Sequence, residues 1–182
     1  MLATSSGDGS IKIWDMQENG SKICTLRGHS DWVSSCEYAP SEFKVVSGSR
    51  DKTIRVWDSI SCVSLFSLQD HKWEVSTTVY SPTGSMIASG SWDRLVKLWD
   101  ARGSKKPLLN TLDGHLDWVT NLSFSGDGMY LASCSSDRRI NIWDIRTNTI
   151  LTRLKGHTGA INDVCFYPNG HFLVSGSDDR TL

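Results

Sequence analysis

The chain has 182 residues, with 19 Lys and Arg against 20 Asp and Glu, for a formal net charge of −1. That length suits one domain with a real buried core, and near-cancelling charge supplies no field for gripping nucleic acid or an anionic membrane. No apolar run approaches the roughly 18 residues of a spanning helix, and the opening MLATSSGDGS has neither the basic nor the apolar stretch of a secretion signal.

In chain order the sequence divides into five units of short strands. Residues 1–27 hold an incomplete first unit, 28–69, 70–113 and 114–155 hold complete ones, and 156–182 hold an incomplete last one. The second unit shows the pattern. Residues 32–38 (WVSSCEY) read as a first strand a, 43–48 (FKVVSG) as b, 54–57 (IRVW) as c and 62–68 (CVSLFSL) as d, with the tight turn SRDKT between b and c. Val, Ile, Phe and Tyr dominate these runs, which favours strand over helix. Hairpin chemistry recurs in later a–b connections at Thr83-Gly84, Asp127-Gly128 and Asn169-Gly170. No segment sustains an apolar period of 3.6, so no helix is expected.

Three markers keep one period in step. The pairs Trp14-Asp15, Trp57-Asp58, Trp99-Asp100 and Trp143-Asp144, the series His29, His71, His115, His157, and the series Asp8, Asp51, Asp93, Asp137, Asp179 all recur every 42 to 44 residues. A repeated four-stranded sheet must cover both faces, and identical sheets stacked around an axis do so while sheltering most edges. The expected fold is therefore all-β, a β-propeller of four-stranded antiparallel blades. The order GH…SGSxD…WD resembles the WD-repeat family over essentially the whole chain. That resemblance implies a ring, usually of seven blades, of which about four are represented here, so the chain reads as a segment of a longer protein. A ring of four, its last blade completed by residues 1–26, is the alternative, but it leaves residues 171–182 surplus. As a segment, the chain is expected to expose apolar end faces and to be poorly soluble alone.

Each unit carries the residue types of a catalytic triad beside a tryptophan: His29, Ser47, Asp51, Trp57; His71, Ser89, Asp93, Trp99; His115, Ser133, Asp137, Trp143. The end units hold Thr4, Asp8, Trp14 and His157, Ser175, Asp179. Nucleophilic catalysis needs one cleft, an exposed serine and oxyanion donors. Repetition in every unit, with no GxSxG elbow, argues against it. The family resemblance implies instead a buried hydrogen-bonded chain, from aspartate through histidine and serine to indole, that fastens each blade. Asp70 in place of glycine before His71, Cys134 in place of the SGS glycine and Thr4 in place of serine are departures from the family pattern.

The resemblance also points to three partner-facing positions per blade, on the face that bears the d–a loops and b–c turns. These are Trp32, Ser34, Arg50; Glu74, Ser76, Trp92; Trp118, Thr120, Ser136; and Ala160, Asn162, Asp178. The four tryptophans outside the Trp-Asp pairs, Trp32, Trp73, Trp92 and Trp118, fall in or beside these loops, with Asp31, Glu74, Asp117, Asp163 and Asp178 nearby. Tryptophan and arginine are common interface anchors, and an aromatic, acidic rim suits a basic peptide segment. Burial of Trp32 and Trp118 as wedges between blades is the competing expectation.

The leading function is thus a non-enzymatic scaffold that binds other proteins. The alternative rests on Trp99-Asp100-Ala101-Arg102 and Trp143-Asp144-Ile145-Arg146. Both read W-D-x-R, similar to substrate receptors of cullin-RING ubiquitin ligases, with Arg102 and Arg146 meeting the adaptor. Against this, such an arginine can simply pair with a nearby aspartate. No P-loop, HExxH or helix-opening GxGxxG is present, so no cofactor, metal or small-molecule substrate is expected. Lys105-Lys106 reads as a solvated loop. Cys24, Cys36, Cys62, Cys134 and Cys165 show no metal-ligand spacing and suit a reducing compartment, the cytosol or nucleus.

Overall fold

The computed structural model describes residues 1–168, 170 and 172–182; Asn169, half of the third expected hairpin turn, lies outside them. All regular structure among the described residues is β. A three-stranded sheet holds β1 (Leu2–Ser5), β2 (Ser10–Asp15) and β3 (Ser21–Arg27). Three four-stranded sheets follow: β4 (Val33–Tyr38), β5 (Lys44–Ser49), β6 (Thr53–Asp58) and β7 (Val63–Gln69); β8 (Val75–Tyr80), β9 (Met86–Ser91), β10 (Leu95–Asp100) and β11 (Leu108–Asp113); and β12 (Val119–Phe124), β13 (Tyr130–Ser135), β14 (Arg139–Asp144) and β15 (Thr149–Lys155). A pair, β16 (Ile161–Phe166) and β17 (Leu173–Ser177), completes the set. Every sheet is an antiparallel meander in chain order, as short hairpin connections require.

The register breaks at the same two places in each four-stranded blade, and at one of them in each end sheet. Between c and d it shifts at the residue before the tryptophan, at Ile13/Trp14, Val56/Trp57, Leu98/Trp99 and Ile142/Trp143. Between a and b it skips Ser34, Ser76, Thr120 and Asn162. A bulge leaves one residue out of the ladder and re-aims its side chain. Four of the expected partner-facing residues are thus the bulge residues of strand a.

The cores lie between sheets. Ile11, Ile13 and Leu26 of the first sheet pack with Val33, Val45 and Trp57 of the second. Val46, Ile54, Val56 and Leu68 meet Val75, Ile87 and Trp99. Val96, Leu98 and Leu112 meet Val119, Leu131 and Trp143, and Ile140 and Ile142 meet Ile161 and Val164. Each repeat therefore presents aliphatic residues to the next repeat and its tryptophan to the previous one. The a strands β4, β8, β12 and β16 lie side by side, giving the fan of a partial β-propeller.

Close approach of successive a strands explains the SGS glycine. A Cβ on Gly90 would lie 2.6 Å from Val119 Cγ1, and one on Gly48 2.7 Å from Val75 Cγ1. At the fourth interface Cys134 replaces this glycine, fully buried in the cluster with Ile161 and hydrogen-bonded to Thr120. Burial pushes its thiol up to about 11. Asp70, the other departure, pairs with the buried ammonium of Lys97 on strand c. An acidic side chain at the glycine position thus supplies the counter-charge for a base that the sheet interface encloses.

Two of the five cysteines are paired, against the expectation of a reduced set. Cys24 on β3 is disulfide-bonded to Cys62 in the β6–β7 turn of the neighbouring blade, with a Cα–Cα distance of 6.6 Å. Cys165 is exposed and Cys36 half-buried, so only Cys134 behaves as a buried apolar cysteine. The pairing joins residues 38 apart. It arises because the outer strand of one blade lies beside the c–d turn of the next, a proximity that sequence spacing does not display.

Candidate functional site

The three complete sets share one geometry. The imidazole Nδ1 of His29, His71 and His115 lies 2.8, 2.8 and 3.0 Å from the carboxylates of Asp51, Asp93 and Asp137. Nε2 lies 2.8, 2.7 and 2.7 Å from the hydroxyls of Ser47, Ser89 and Ser133. The indole N–H groups of Trp57, Trp99 and Trp143 donate to the same hydroxyls at 2.8 Å. A carboxylate only accepts, so Nδ1 carries the ring hydrogen in the neutral imidazole, and Nε2 accepts the serine O–H. Donors and acceptors then match along the whole chain. The three serines are fully buried, each hydroxyl enclosed by an indole and an imidazole. Their burial closes them to an acyl substrate.

The partial sets follow the same plan. His157 bridges Asp179 and Ser175 at 2.8 Å each, and the Trp14 indole donates to Thr4 at 2.8 Å. Asp8, with no histidine in its unit, takes the backbone and hydroxyl of Ser10. In the complete sets burial raises the aspartates, but the His rings and backbone N–H groups more than reverse it. Asp51, Asp93 and Asp137 therefore titrate below the usual aspartate range. Asp179 is lowered chiefly by the Thr181 hydroxyl. The second aspartate oxygen holds the b–c turn by accepting from Thr53, Leu95, Arg139 and Thr181 N–H. The residue between, Lys52, Arg94, Arg138 or Arg180, adopts a left-handed φ of 66 to 73°.

These turns share one rim with the d–a loops, because Arg50, Trp92, Ser136 and Asp178 N–H donate to the carbonyls of Trp32, Glu74, Trp118 and Ala160. On this rim Trp32, Trp73 and Trp118 are 54, 61 and 45 % exposed. They are neither buried wedges nor free. A Cβ on Gly7 would touch the Trp32 indole at 3.3 Å. The Arg50 guanidinium lies 4.4 Å from the Trp32 ring centre and 5.7 Å from that of Trp92. Trp92 stacks on Trp118 at 4.2 Å with planes 6° apart.

A rule relates these contacts. The residue before the turn aspartate of one blade meets the residue before strand a of the next: Gly7 with Trp32, Arg50 with Glu74 at 3.7 Å, Trp92 with Trp118. Trp32, Arg50, Glu74, Trp92 and Trp118 are expected rim residues, whereas Gly7 and the pairing across blades are not; equal offsets from the repeat markers carry the signal for both.

Other expected rim groups have internal partners. Ser76 donates to the carbonyls of Gly90 and Val119, and Thr120 to that of Ile161, so these bulge hydroxyls tie adjacent a strands. Asp31 and Asp117 cap the following N–H groups of Trp32 and Trp118. Asp163 accepts from Asn121, and Asp178 from Asn162. Ser34 is exposed. A groove beside the rim indoles is lined by Lys72, Trp73, Trp92, Arg94 and Leu116. Of the W-D-x-R arginines, Arg102 grips its own Asp100 bidentately at 2.9 and 3.0 Å, whereas Arg146 lies 4.0 Å from Asp144.

Stacked four-stranded sheets, each fastened by one Asp-His-Ser-Trp chain, define a repeat protein of the β-propeller class. The model of the WD domain, G-beta repeat matches residues 1–15, 20–58, 62–100, 106–144 and 148–182, and the chain belongs to this WD-repeat family. Among curated proteins it is similar to DDB1- and CUL4-associated factor 10 of Xenopus tropicalis, 39% identical over 62 residues (34% of this chain, 14% of the relative). It is also similar to nuclear distribution protein PAC1 of Candida albicans, 49% identical over 67 residues (36% and 13%). Nuclear distribution protein nudF of Aspergillus flavus is 45% identical over 58 residues (32% and 13%). The chain thus matches only a small part of each of these relatives.

Proposed function

We propose that this chain is a protein-binding scaffold whose rim of d–a loops and b–c turns holds a partner segment. The observation that carries the reading is the set of indoles at one end of the stack, with Trp32, Trp73 and Trp118 about half exposed. Large apolar rings gathered at a solvent face favour an interface. The aromatic rim with Glu74 suits a basic peptide segment, while the Asp-His-Ser-Trp sets hold the blades and leave the rim for recognition. Membership of the WD-repeat family supports the scaffold role; a cytosolic or nuclear setting is compatible with the relatives named as nuclear distribution proteins, although the Cys24–Cys62 disulfide removes the cysteine argument for it. Trp73→Ala is the cleanest test, because Trp73 is the most exposed of these indoles. Affinity capture with the intact protein from its own cells is expected to lose its partner on this change, with melting unchanged. Retained capture after Trp73→Ala, Trp32→Ala and Trp118→Ala would refute the rim as the binding face.

A second reading, as a substrate receptor of a cullin-RING ligase, is favoured by the similarity to relatives named as DDB1- and CUL4-associated. Here Arg146 is the stronger adaptor contact, since its side chain is 88 % exposed and only loosely paired, whereas Arg102 is committed to Asp100. Co-purification of DDB1 that Arg146→Ala weakens is the expected result; absence of DDB1 from captures of the unaltered protein removes this reading.

A further inference from the structure

The seat around Arg50 is incomplete in a specific way. Glu74 Oε2 is closed off from solvent yet accepts no hydrogen bond, and Arg50 Nε stands 3.7 Å from it, an ion pair beyond hydrogen-bond reach. A carboxylate oxygen that has lost its water and gained no donor is costly. The Arg50 guanidinium leans instead on the Trp32 ring, 4.4 Å from its centre. The other acids of the rim are satisfied: Asp31 and Asp117 by the N–H groups that they cap, Asp163 and Asp178 by asparagine amides. Glu74 therefore combines a shielded, unsatisfied acceptor with two indole faces, Trp32 and Trp92, that already hold a guanidinium between them.

We infer that Trp32, Trp92 and Glu74 form a guanidinium seat that Arg50 occupies in the free protein, and that an arginine of the partner segment takes the seat by displacing Arg50. The inference rests on the rim being the partner-binding face, and it narrows the partner chemistry to arginine. Planar guanidinium stacks on indole and presents paired N–H donors to a carboxylate, which a lysine ammonium does not. A partner arginine enters from solvent rather than from the Arg50 backbone position, so its paired N–H groups can be aimed at Glu74 Oε2 while its plane rests on the indoles. Arg50 acts as a built-in competitor, and the seat is masked against weak or non-arginine ligands.

The test uses the full chain and the peptide acetyl-Gly-Arg-Gly-amide, with acetyl-Gly-Lys-Gly-amide as its comparison, followed through the indole N–H resonances of Trp32 and Trp92. Arg50→Ala is expected to bind the arginine peptide about two- to fivefold more tightly than the unaltered chain, since one surface cation–π contact is worth about that factor. Adding Glu74→Gln is expected to abolish the gain, and the lysine peptide is expected to gain less. Equal or weaker arginine-peptide binding in Arg50→Ala overturns the inference. So does loss of cooperative melting in both Arg50→Ala and Arg50→Gln, which would make Arg50 an inter-blade tie. Arginine-peptide binding that perturbs Trp73 or Trp118 but ignores Arg50 sinks the seat while leaving the rim as a binding face. Partner capture unaffected by the rim tryptophans sinks the rim itself.

Discussion

Ser89→Ala removes one oxygen from the middle of the stack. That hydroxyl receives the Trp99 indole N–H at 2.8 Å and sits 2.7 Å from His71 Nε2, and all three groups are buried. Alanine leaves a donor and an acceptor without partners and without room for water. Each buried group stranded in this way costs roughly 1–3 kcal/mol, so the pair amounts to about 2–6 kcal/mol. The void itself is smaller than a methyl group and adds little. Urea unfolding followed by tryptophan fluorescence measures the change. The control is Ser41→Ala at an exposed loop position, where surface substitutions stay within about 0.5 kcal/mol. The combination with Trp99→Phe separates the indole bond from the imidazole bond through its non-additivity. A loss below about 0.5 kcal/mol for Ser89→Ala would refute the reasoning, because it would mean that these hydrogen bonds do not hold the blade.

Asp70→Gly restores the usual residue before His71 but strips the counter-charge from buried Lys97. It is expected to destabilise by about 1–3 kcal/mol in thermal melting, less than a fully buried pair because Asp70 is half exposed; adding Lys97→Met is expected to recover most of it. Cys24→Ser with Cys62→Ser opens a link between residues 38 apart, for which chain entropy gives an upper cost of about 4 kcal/mol. Peptide mapping without reductant is expected to recover the two cysteines joined, and a map with both thiols free would contradict the link. Acid is expected to destabilise the fold. The pKa values of Asp51, Asp93, Asp137 and Asp179 are lower in the folded chain than the unfolded value near 3.8. Between those values the unfolded chain binds more protons, so this stability is fully present above the unfolded value and drains away as pH falls through the folded values. Melting temperature against pH is expected to fall steeply below about pH 4, and Asp93→Asn to flatten that acid limb.

The residue types that make up the fasteners are legible because each recurs at one offset in every repeat. The observed strands of the second blade, Val33–Tyr38, Lys44–Ser49, Thr53–Asp58 and Val63–Gln69, lie close to the runs of β-branched and aromatic residues that announce them. Contacts between repeats are harder to read. Arg50 lies 24 residues from Glu74, and Trp92 lies 26 from Trp118, and only the face-to-face stacking of neighbouring sheets brings them together. Asp31 and Asp117 look like free rim charges in sequence, yet each bends back to the adjacent N–H. The Asp70–Lys97 pair was half visible, as an unexplained departure at Asp70 whose partner sits on strand c. Cys24 and Cys62 carry no local signal for one another.

Hydrogen exchange of the eight indole N–H groups tests most directly the claim that the repeated sets fasten the blades and leave the rim open. Trp57, Trp99 and Trp143 are fully buried and donate to serine, whereas Trp32, Trp73 and Trp118 face solvent. The first three indoles are expected to exchange only when the fold opens, and the last three at nearly the rate of an unfolded chain. Uniform exchange across all eight, or protection of the rim indoles with rapid exchange at Trp57, Trp99 and Trp143, would contradict the account.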